Sequence, residues 1–347
     1  MQLVLDVKNI ECRYQQRVAV HDVSLRINDG DLFSLLGPSG CGKTTVLRAI
    51  AGFESVSSGY ISLRNEVVSK TGYTKPPENR HIGMVFQDYA LFPHMDVQDN
   101  IGFGLRDLSS QDRKNRIKEM LKIVDLNDYA DRYVHELSGG QQQRIALARA
   151  LAPKPDLVLM DEPFSNLDVE MREYLSQEVR QILKSQGATG ILVTHDQLEA
   201  FSVADHIGVM NQGEIVQNDT AYNLYHSPNN HFVADFIGQG VFLEGTLLAP
   251  DKIETPLGII KGDRAYDWPR GSKVRLLIRP DDIVHDEQGN LVGEVCNKAF
   301  KGAEILYTLR LSSGIEVLSL FPSHHNYEVK ERVKINFAPD HMVAFKV

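Results

Sequence analysis

Four short stretches of the chain are apolar almost without interruption: LFSLLG (32–37), IGMVFQ (82–87), LVLMDE (157–162) and ILVTHD (191–196). Each ends in polar residues. Runs of this kind predict strands of a parallel sheet covered on both faces. Between them the pattern lengthens to a helical period. One helix is predicted after Lys43, through TTVLRAIAG, and closes at Gly52. A second, over about 169–186, carries Leu175, Val179, Ile182 and Leu183 on one stripe and stops at Gly187. A third, over 110–124, is strongly charged on one side. Strands and helices in alternation predict βαβ units and an α/β fold.

After about residue 240 the texture changes. VFLEGTLL, KVRLLIRP, EILYTLRL, IEVLSLF and VKINFAP are short strand-like runs separated by Gly, Pro, Asp and Asn clusters. Their spacing predicts a small antiparallel barrel or sandwich. The boundary is expected near IGQGVF, giving an α/β domain over 1–236 and an all-β domain over 237–347.

Composition narrows the function classes. The 347 residues are 42% hydrophobic and 24% charged, an ordinary globular balance. Net charge is −9, so no bulk basic field invites nucleic acid. The opening MQLVLDVKNI reaches Asp6 and Lys8 too soon for a signal-peptide core. No run approaches the roughly 18 apolar residues of a membrane span. Cys12, Cys41 and Cys296 lie far apart, with neither zinc nor disulfide spacing. The 12 His are scattered, and His324-His325 reads as a surface pair rather than a ligand set.

The chemistry lies in the first domain. GPSGCGKT (37–44) fits G-x-x-x-x-G-K-[ST] between a predicted strand and helix, the context that a phosphate loop requires. Gly37, Gly40 and Gly42 let the backbone curl so that successive N–H groups of the loop, which also holds Pro38, Ser39, Cys41 and Thr45, face phosphate oxygens. Lys43 supplies a cation to the β and γ phosphates, and the Thr44 hydroxyl is available to Mg²⁺. Cys41, a thiol at a helix N-terminus, is a candidate for activation. LVLMDE ends in two carboxylates: Asp161 is suited to hold Mg²⁺, and Glu162 to orient and deprotonate an attacking water. A second helix start, HELSGGQQQRIALARA (135–150), opens with Gly139 and Gly140, poor helix formers suited to close approach of an anion.

The phosphate loop, LSGGQ (137–141) and LVLMDEP, in that order, resemble the ATP-binding-cassette ATPases over about residues 3–236. The resemblance implies a P-loop NTPase fold with a helical insert at about 88–155. It identifies Gln87 with the Q-loop glutamine that approaches Mg²⁺ and the γ-phosphate. Asp168, in SNLD (165–168), matches the D-loop aspartate at a subunit contact, and His195 the switch histidine on the γ-phosphate. Tyr14, in CRYQQ, resembles the aromatic that stacks on adenine. It further implies a head-to-tail dimer, in which Ser138, Gly139, Gly140 and Gln141 of one copy close over ATP held by the other.

Three other family types fit less well: no sustained heptads point to a DNA-acting cassette, one phosphate loop argues against a ribosomal type, and a fused membrane domain is missing. DYALFPHMDVQDNIGFGL (88–105) resembles the segment that receives a separate permease subunit, with Tyr89, Leu91, Phe92 and Met95 as candidate lining. LLIRPDDI (276–283) and FKGAEILYTLRL (300–311) resemble the oligonucleotide-binding-like (TOBE) regulatory barrel of importer ATPases. In that family the barrel does not imply nucleic acid. The implied role is ATP hydrolysis for a binding-protein-dependent importer, peripheral on the cytoplasmic face of a bacterial inner membrane. A periplasmic substrate-binding protein acts indirectly. The resemblance is greatest to ferric-ion importer subunits, which makes ferric iron the expected cargo. Polyamine, sulfate or sugar cargo is the alternative, followed by a soluble cassette ATPase on nucleic acid or ribosomes.

Overall fold

The four apolar runs form the strands Leu32–Leu36, Ile82–Val85, Leu157–Asp161 and Gly190–Thr194, four adjacent strands of one six-stranded sheet. In this computed structural model, which describes residues 2–339 and 341–347, that sheet runs 214–219, 206–211, 32–36, 190–194, 157–161, 82–85. Neighbours are parallel except the edge strand Glu214–Asp219, which pairs antiparallel with His206–Asn211. Leu36 pairs with Thr194 and Asp161 with Val193, so three strands end together at one edge. In open parallel sheets ligands gather at that carboxyl edge.

The helices follow the sequence reading closely: Lys43–Ala51, Ser110–Ile123, Gly139–Leu151 and Val169–Ser185. A second sheet, antiparallel and five-stranded, is built from residues 3–28 and 58–74, and the hydrophobic pattern does not predict it. Its first strand, Leu3–Tyr14, changes register between Val7 and Ile10, where Asn9 adopts φ 46°. That irregularity breaks the period-two alternation by which a half-buried strand is recognised.

The chain forms two compact units, one ending at Ala221 and the other Tyr222–Val347. The second unit starts ahead of its strands, at Tyr222 in the helix Ala221–His226, and also holds the helix His231–Ile237. Ala234 packs against Leu277 and Val343, which ties this stretch to the β-rich unit. A boundary read from strand texture alone therefore falls later, at 236/237. Among its described residues the unit holds two five-stranded antiparallel sheets, and a core that includes Leu243, Ile253, Tyr307, Phe321 and Ile335. All five predicted strands are present. The shorter ones, such as Lys252–Thr255 and Ile283–His285, were too brief to read from the pattern. No helix among the described residues is long and apolar enough to cross a membrane.

Candidate active site

The strand Leu32–Leu36 is buried along its whole length and delivers the chain to Gly37 at the carboxyl edge. A Cβ on Gly37 would lie 2.4 Å from the Met210 carbonyl oxygen, so a side chain does not fit. Gly42 has φ 108°, in the left-handed region, and a Cβ there would meet the Ala19 carbonyl oxygen at 2.9 Å. The helix then starts at Lys43, whose side chain is folded back into the loop. Its ammonium donates to the carbonyl oxygens of Gly37 at 2.7 Å and Pro38 at 3.0 Å. Ser39, Gly40, Gly42, Lys43, Thr44 and Thr45 line a cleft of about 710 Å³, closed on its other sides by Tyr14, Arg17, Val18, Glu162, Gln212 and Gly213. Tyr14 stands half-exposed at the rim, its hydroxyl 3.5 Å from Thr45 Oγ1.

Cys41 departs from expectation. It is 5% exposed, and its thiol packs into the core with residues such as Val46 and Met210. Its backbone N–H donates to the Pro38 carbonyl at 3.3 Å, closing the loop on itself. Being in a phosphate loop does not give this sulfur access to solvent.

Asp161 ends the strand Leu157–Asp161 and accepts a hydrogen bond from the Thr44 hydroxyl at 3.1 Å. Burial raises the Asp161 carboxyl above its usual range, opposed by the Thr44 hydrogen bond, while the neighbouring Glu162 adds to the rise. A hydroxyl and a desolvated carboxylate side by side are hard oxygen donors of the kind Mg²⁺ takes. The pair fits that ion. Gln87 lies beyond the end of its strand with its side chain exposed, and its carbonyl oxygen accepts from Asn166 Nδ2 at 2.8 Å.

Glu162 has φ 44°, a left-handed conformation unusual for this residue type. Its N–H donates to the Val193 carbonyl at 2.9 Å, and its carboxylate oxygen lies 3.2 Å from His195 Nδ1. His195 follows the strand Gly190–Thr194 directly, with half of its side chain exposed. The two residues are therefore partners in this chain, a contact that no spacing in the sequence announced.

Ser138, Gly139, Gly140 and Gln141 do not line the phosphate-loop cleft of their own chain. They form a self-contained helix start. Ser138 N–H donates to Gln141 Oε1 at 2.9 Å, Gln141 N–H donates to Ser138 Oγ at 3.4 Å, and Gln141 Nε2 reaches the Tyr129 hydroxyl at 3.1 Å. The Ser-x-x-Gln spacing is a capping-box pattern that would have revealed this. The glycines also have a packing role within the chain. A Cβ on Gly139 would sit 3.3 Å from Leu167, and one on Gly140 3.1 Å from Leu175. Asp168 caps the helix Val169–Ser185, accepting from Met171 N–H at 2.9 Å.

The 88–105 segment opens with two consecutive left-handed residues, Tyr89 at φ 61° and Ala90 at φ 45°. Arg149, from the helix Gly139–Leu151, donates to both of their carbonyl oxygens, at 2.8 and 2.6 Å. Buried Asn100 organises the next turn through Phe92 N–H at 2.8 Å and the Asp96 carbonyl at 2.9 Å. Tyr89 itself is 4% exposed and belongs to the core, so it lines no docking surface. Leu91, Phe92 and Met95 are half-buried. Sequence reasoning missed the cleft residues Arg17 and Val18, just past CRYQQ, and Gln212 and Gly213, which stand far from any motif. Gly213 is stitched in by its N–H to the Cys41 carbonyl at 3.0 Å and by its carbonyl to His21 N–H at 2.9 Å.

This arrangement has clear relatives. The ABC transporter family matches residues 20–165 and the TOBE domain residues 276–345. The chain is 41% identical over 322 residues to a spermidine/putrescine import ATP-binding protein, PotA, of Roseobacter denitrificans, covering 90% of this chain and 88% of that one. It is 48% identical over 245 residues to an Fe(3+) ions import ATP-binding protein, FbpC, of Mannheimia succiniciproducens, covering 70% and 69%. Among solved structures, cbiO1 of Clostridium perfringens, part of an ABC transporter complex, superposes with a TM-score of 0.59 at 27% identity, over 63% of this chain and 89% of that one. The ATP-binding cassette MJ0796, a dimer in a post-hydrolysis state with ADP and Pi, superposes with a TM-score of 0.55 at 31% identity, over 62% and 98%. A phosphate loop facing paired carboxylates, with this kinship over nearly the whole length, places the chain among the ABC transporter ATPases, in the group of import ATP-binding proteins that carry a TOBE domain.

Proposed function

We propose that this chain hydrolyses ATP to drive a binding-protein-dependent importer, working as a pair of copies seated on permease subunits at the cytoplasmic face of a bacterial inner membrane. The observation that carries the chemistry is Glu162, turned by a left-handed backbone toward the phosphate-loop cleft and held at 3.2 Å from His195. The relatives named for import, matched over about 90% of the chain, support the transport role.

In this reading Lys43 leaves the Gly37 and Pro38 carbonyls for the β and γ phosphates, and the loop amides share the remaining charge. Thr44 and Asp161, with Gln87 approaching, would hold Mg²⁺, which neutralises phosphate charge and polarises the γ-phosphoryl group when bound. Glu162 orients a water for in-line attack and accepts its proton. His195 holds the γ-phosphate, and Tyr14 meets the adenine. Ser138 to Gln141 of the second copy, with Asp168 at the contact, cover the nucleotide from the other side. Closure then follows from ATP, because only the closed pair touches it from both faces.

For the cargo, likeness running through both domains favours a polyamine. Ferric iron, expected from the sequence resemblance, is the second reading, and it is favoured by the higher identity to FbpC over the shorter span. The test is ATPase activity of the chain reconstituted with its copurified membrane subunits and a panel of loaded binding proteins. Stimulation by a spermidine-loaded protein supports the first cargo, and stimulation by a ferric-loaded protein the second. Failure to copurify any membrane subunit overturns the importer reading.

A further inference from the structure

His195 is preceded by Thr194 and followed by Asp196, and both neighbours are held by a pair of charged residues, Glu199 and Arg172, that are not among the residues lining the phosphate-loop cleft. Glu199, 4% exposed, hydrogen-bonds the Thr194 hydroxyl, whose oxygen in turn accepts from Asp196 N–H at 3.0 Å. Arg172, from the helix Val169–Ser185, reaches Asp196 Oδ2 at 3.2 Å and the Leu167 carbonyl at 3.1 Å. Its Nε faces Glu199 Oε1 at 3.5 Å, an ion pair without a hydrogen bond. Leu167 lies in the same SNLD turn as Asn166, which holds the Gln87 carbonyl.

A carboxylate this deeply buried is costly, and burial raises its pKa. The Glu199–Thr194 bond fixes the residue before His195, while Arg172 fixes the one after it. The imidazole, otherwise half-exposed, has its base defined from both sides. A doubly anchored support on either side of a half-exposed group is what holds a reacting geometry to within a fraction of an ångström.

We infer that Arg172 and Glu199 are positioning residues for His195, tying its approach to the γ-phosphate to the SNLD turn. This inference rests on the reading of His195 given above, and the test separates the two. Glu199→Gln and Arg172→Ala are introduced into the full chain, each alone and together with His195→Ala. Single-turnover hydrolysis at saturating Mg-ATP, steady-state KM and thermal melting are then measured.

Each single variant is expected to slow hydrolysis by about 10- to 100-fold, the scale of a misplaced reacting group, with KM unchanged within about twofold. On the His195→Ala background the same changes are expected to cost less than about twofold, since groups that act through one another are not additive. Equal losses on both backgrounds, or a higher KM at unchanged turnover, would overturn the inference. If His195→Ala hydrolyses ATP like the parent, the His195 reading fails and takes this inference with it. If His195→Ala is impaired but Glu199→Gln and Arg172→Ala are not, the positioning role alone fails. Arg172→Lys keeps the charge but cannot span the Leu167 carbonyl and both carboxylates. It replaces Glu199→Gln if that variant melts below the assay temperature, with the same expectation.

Discussion

The carboxylate of Glu162 and Nδ1 of His195 meet at 3.2 Å because two neighbouring strands end in step. Asp161 pairs with Val193, so the residues just beyond them emerge side by side at the carboxyl edge. Glu162 then turns back through a left-handed backbone, a strained conformation that costs on the order of 1 kcal/mol and clusters at functional sites. The strain is offset locally by the Glu162 N–H bond to Val193 and by Ser165, whose N–H and hydroxyl both donate to the Glu162 carbonyl.

Removing the proposed base while keeping its shape is the most direct check on this pair. Glu162→Gln should lower ATP turnover by about 10²–10⁴-fold, the usual contribution of a positioned base. Nucleotide binding should survive, so size-exclusion chromatography with ATP and Mg²⁺ should show an accumulated dimer. Turnover near the parent level would remove Glu162 from the proposed role.

In the proposed mechanism Asp161 sets stability against function. Burial raises its folded pKa above the unfolded value, so its ionised form opposes folding once pH exceeds the folded value. Its favourable contribution belongs to acid pH and fades as pH rises. Asp161→Asn keeps an acceptor for the Thr44 hydroxyl and removes the charge. At pH 7 the variant should melt about 2 °C higher, as expected for roughly 1 kcal/mol, while Mg²⁺-dependent hydrolysis collapses. A lower melting temperature would mean that the carboxylate is better compensated than its surroundings suggest.

Cys41 and Cys296 should be told apart by a thiol reagent. Cys41 is buried beside the Lys43 ammonium, with Sγ 3.8 Å from Nζ, whereas Cys296 is partly exposed. Brief alkylation of the folded chain followed by peptide mass spectrometry should find Cys296 modified first and Cys41 largely intact. Rapid labelling of Cys41 would show that the loop opens readily.

The TOBE-bearing unit should be acid-sensitive. His325 is lowered below the usual imidazole value by desolvation, then by the charges of His285 and His324, against Glu287. His285 and His325 rings lie 4.4 Å apart, and Tyr327 bonds His285 Nε2 at 2.7 Å. The unfolded chain takes up this proton first, so stability is full above the ordinary histidine range and falls as pH drops through it. Amide protection factors over Glu316–Pro322, corrected for the intrinsic pH dependence of exchange, should fall between about pH 7.5 and about pH 5.5, and His325→Gln should flatten the response. Unchanged protection factors would show that His325 does not govern this sheet.

Much of this molecule was legible from neighbours in sequence. The phosphate loop, the four buried strands and the helix after Lys43 are written in local steric and periodic demands. Gly37 and Gly42 must be small where carbonyls crowd them, and a strand buried on both faces must be apolar throughout. The antiparallel sheet over residues 3–28 and 58–74 escaped because register shifts such as that at Asn9 blur its alternation.

By itself the sequence determined which residues are able to hold phosphate, metal and water, since those capacities belong to residue type and to the backbone within a few positions. Tertiary structure alone decided their company. Strand register brought Glu162 to His195, a hairpin and a distant turn walled the cleft with Arg17 and Gln212, and core packing took Cys41 and Tyr89 out of reach. The reason is physical: a contact across a parallel sheet depends on crossovers and stagger, which no short stretch of chain contains.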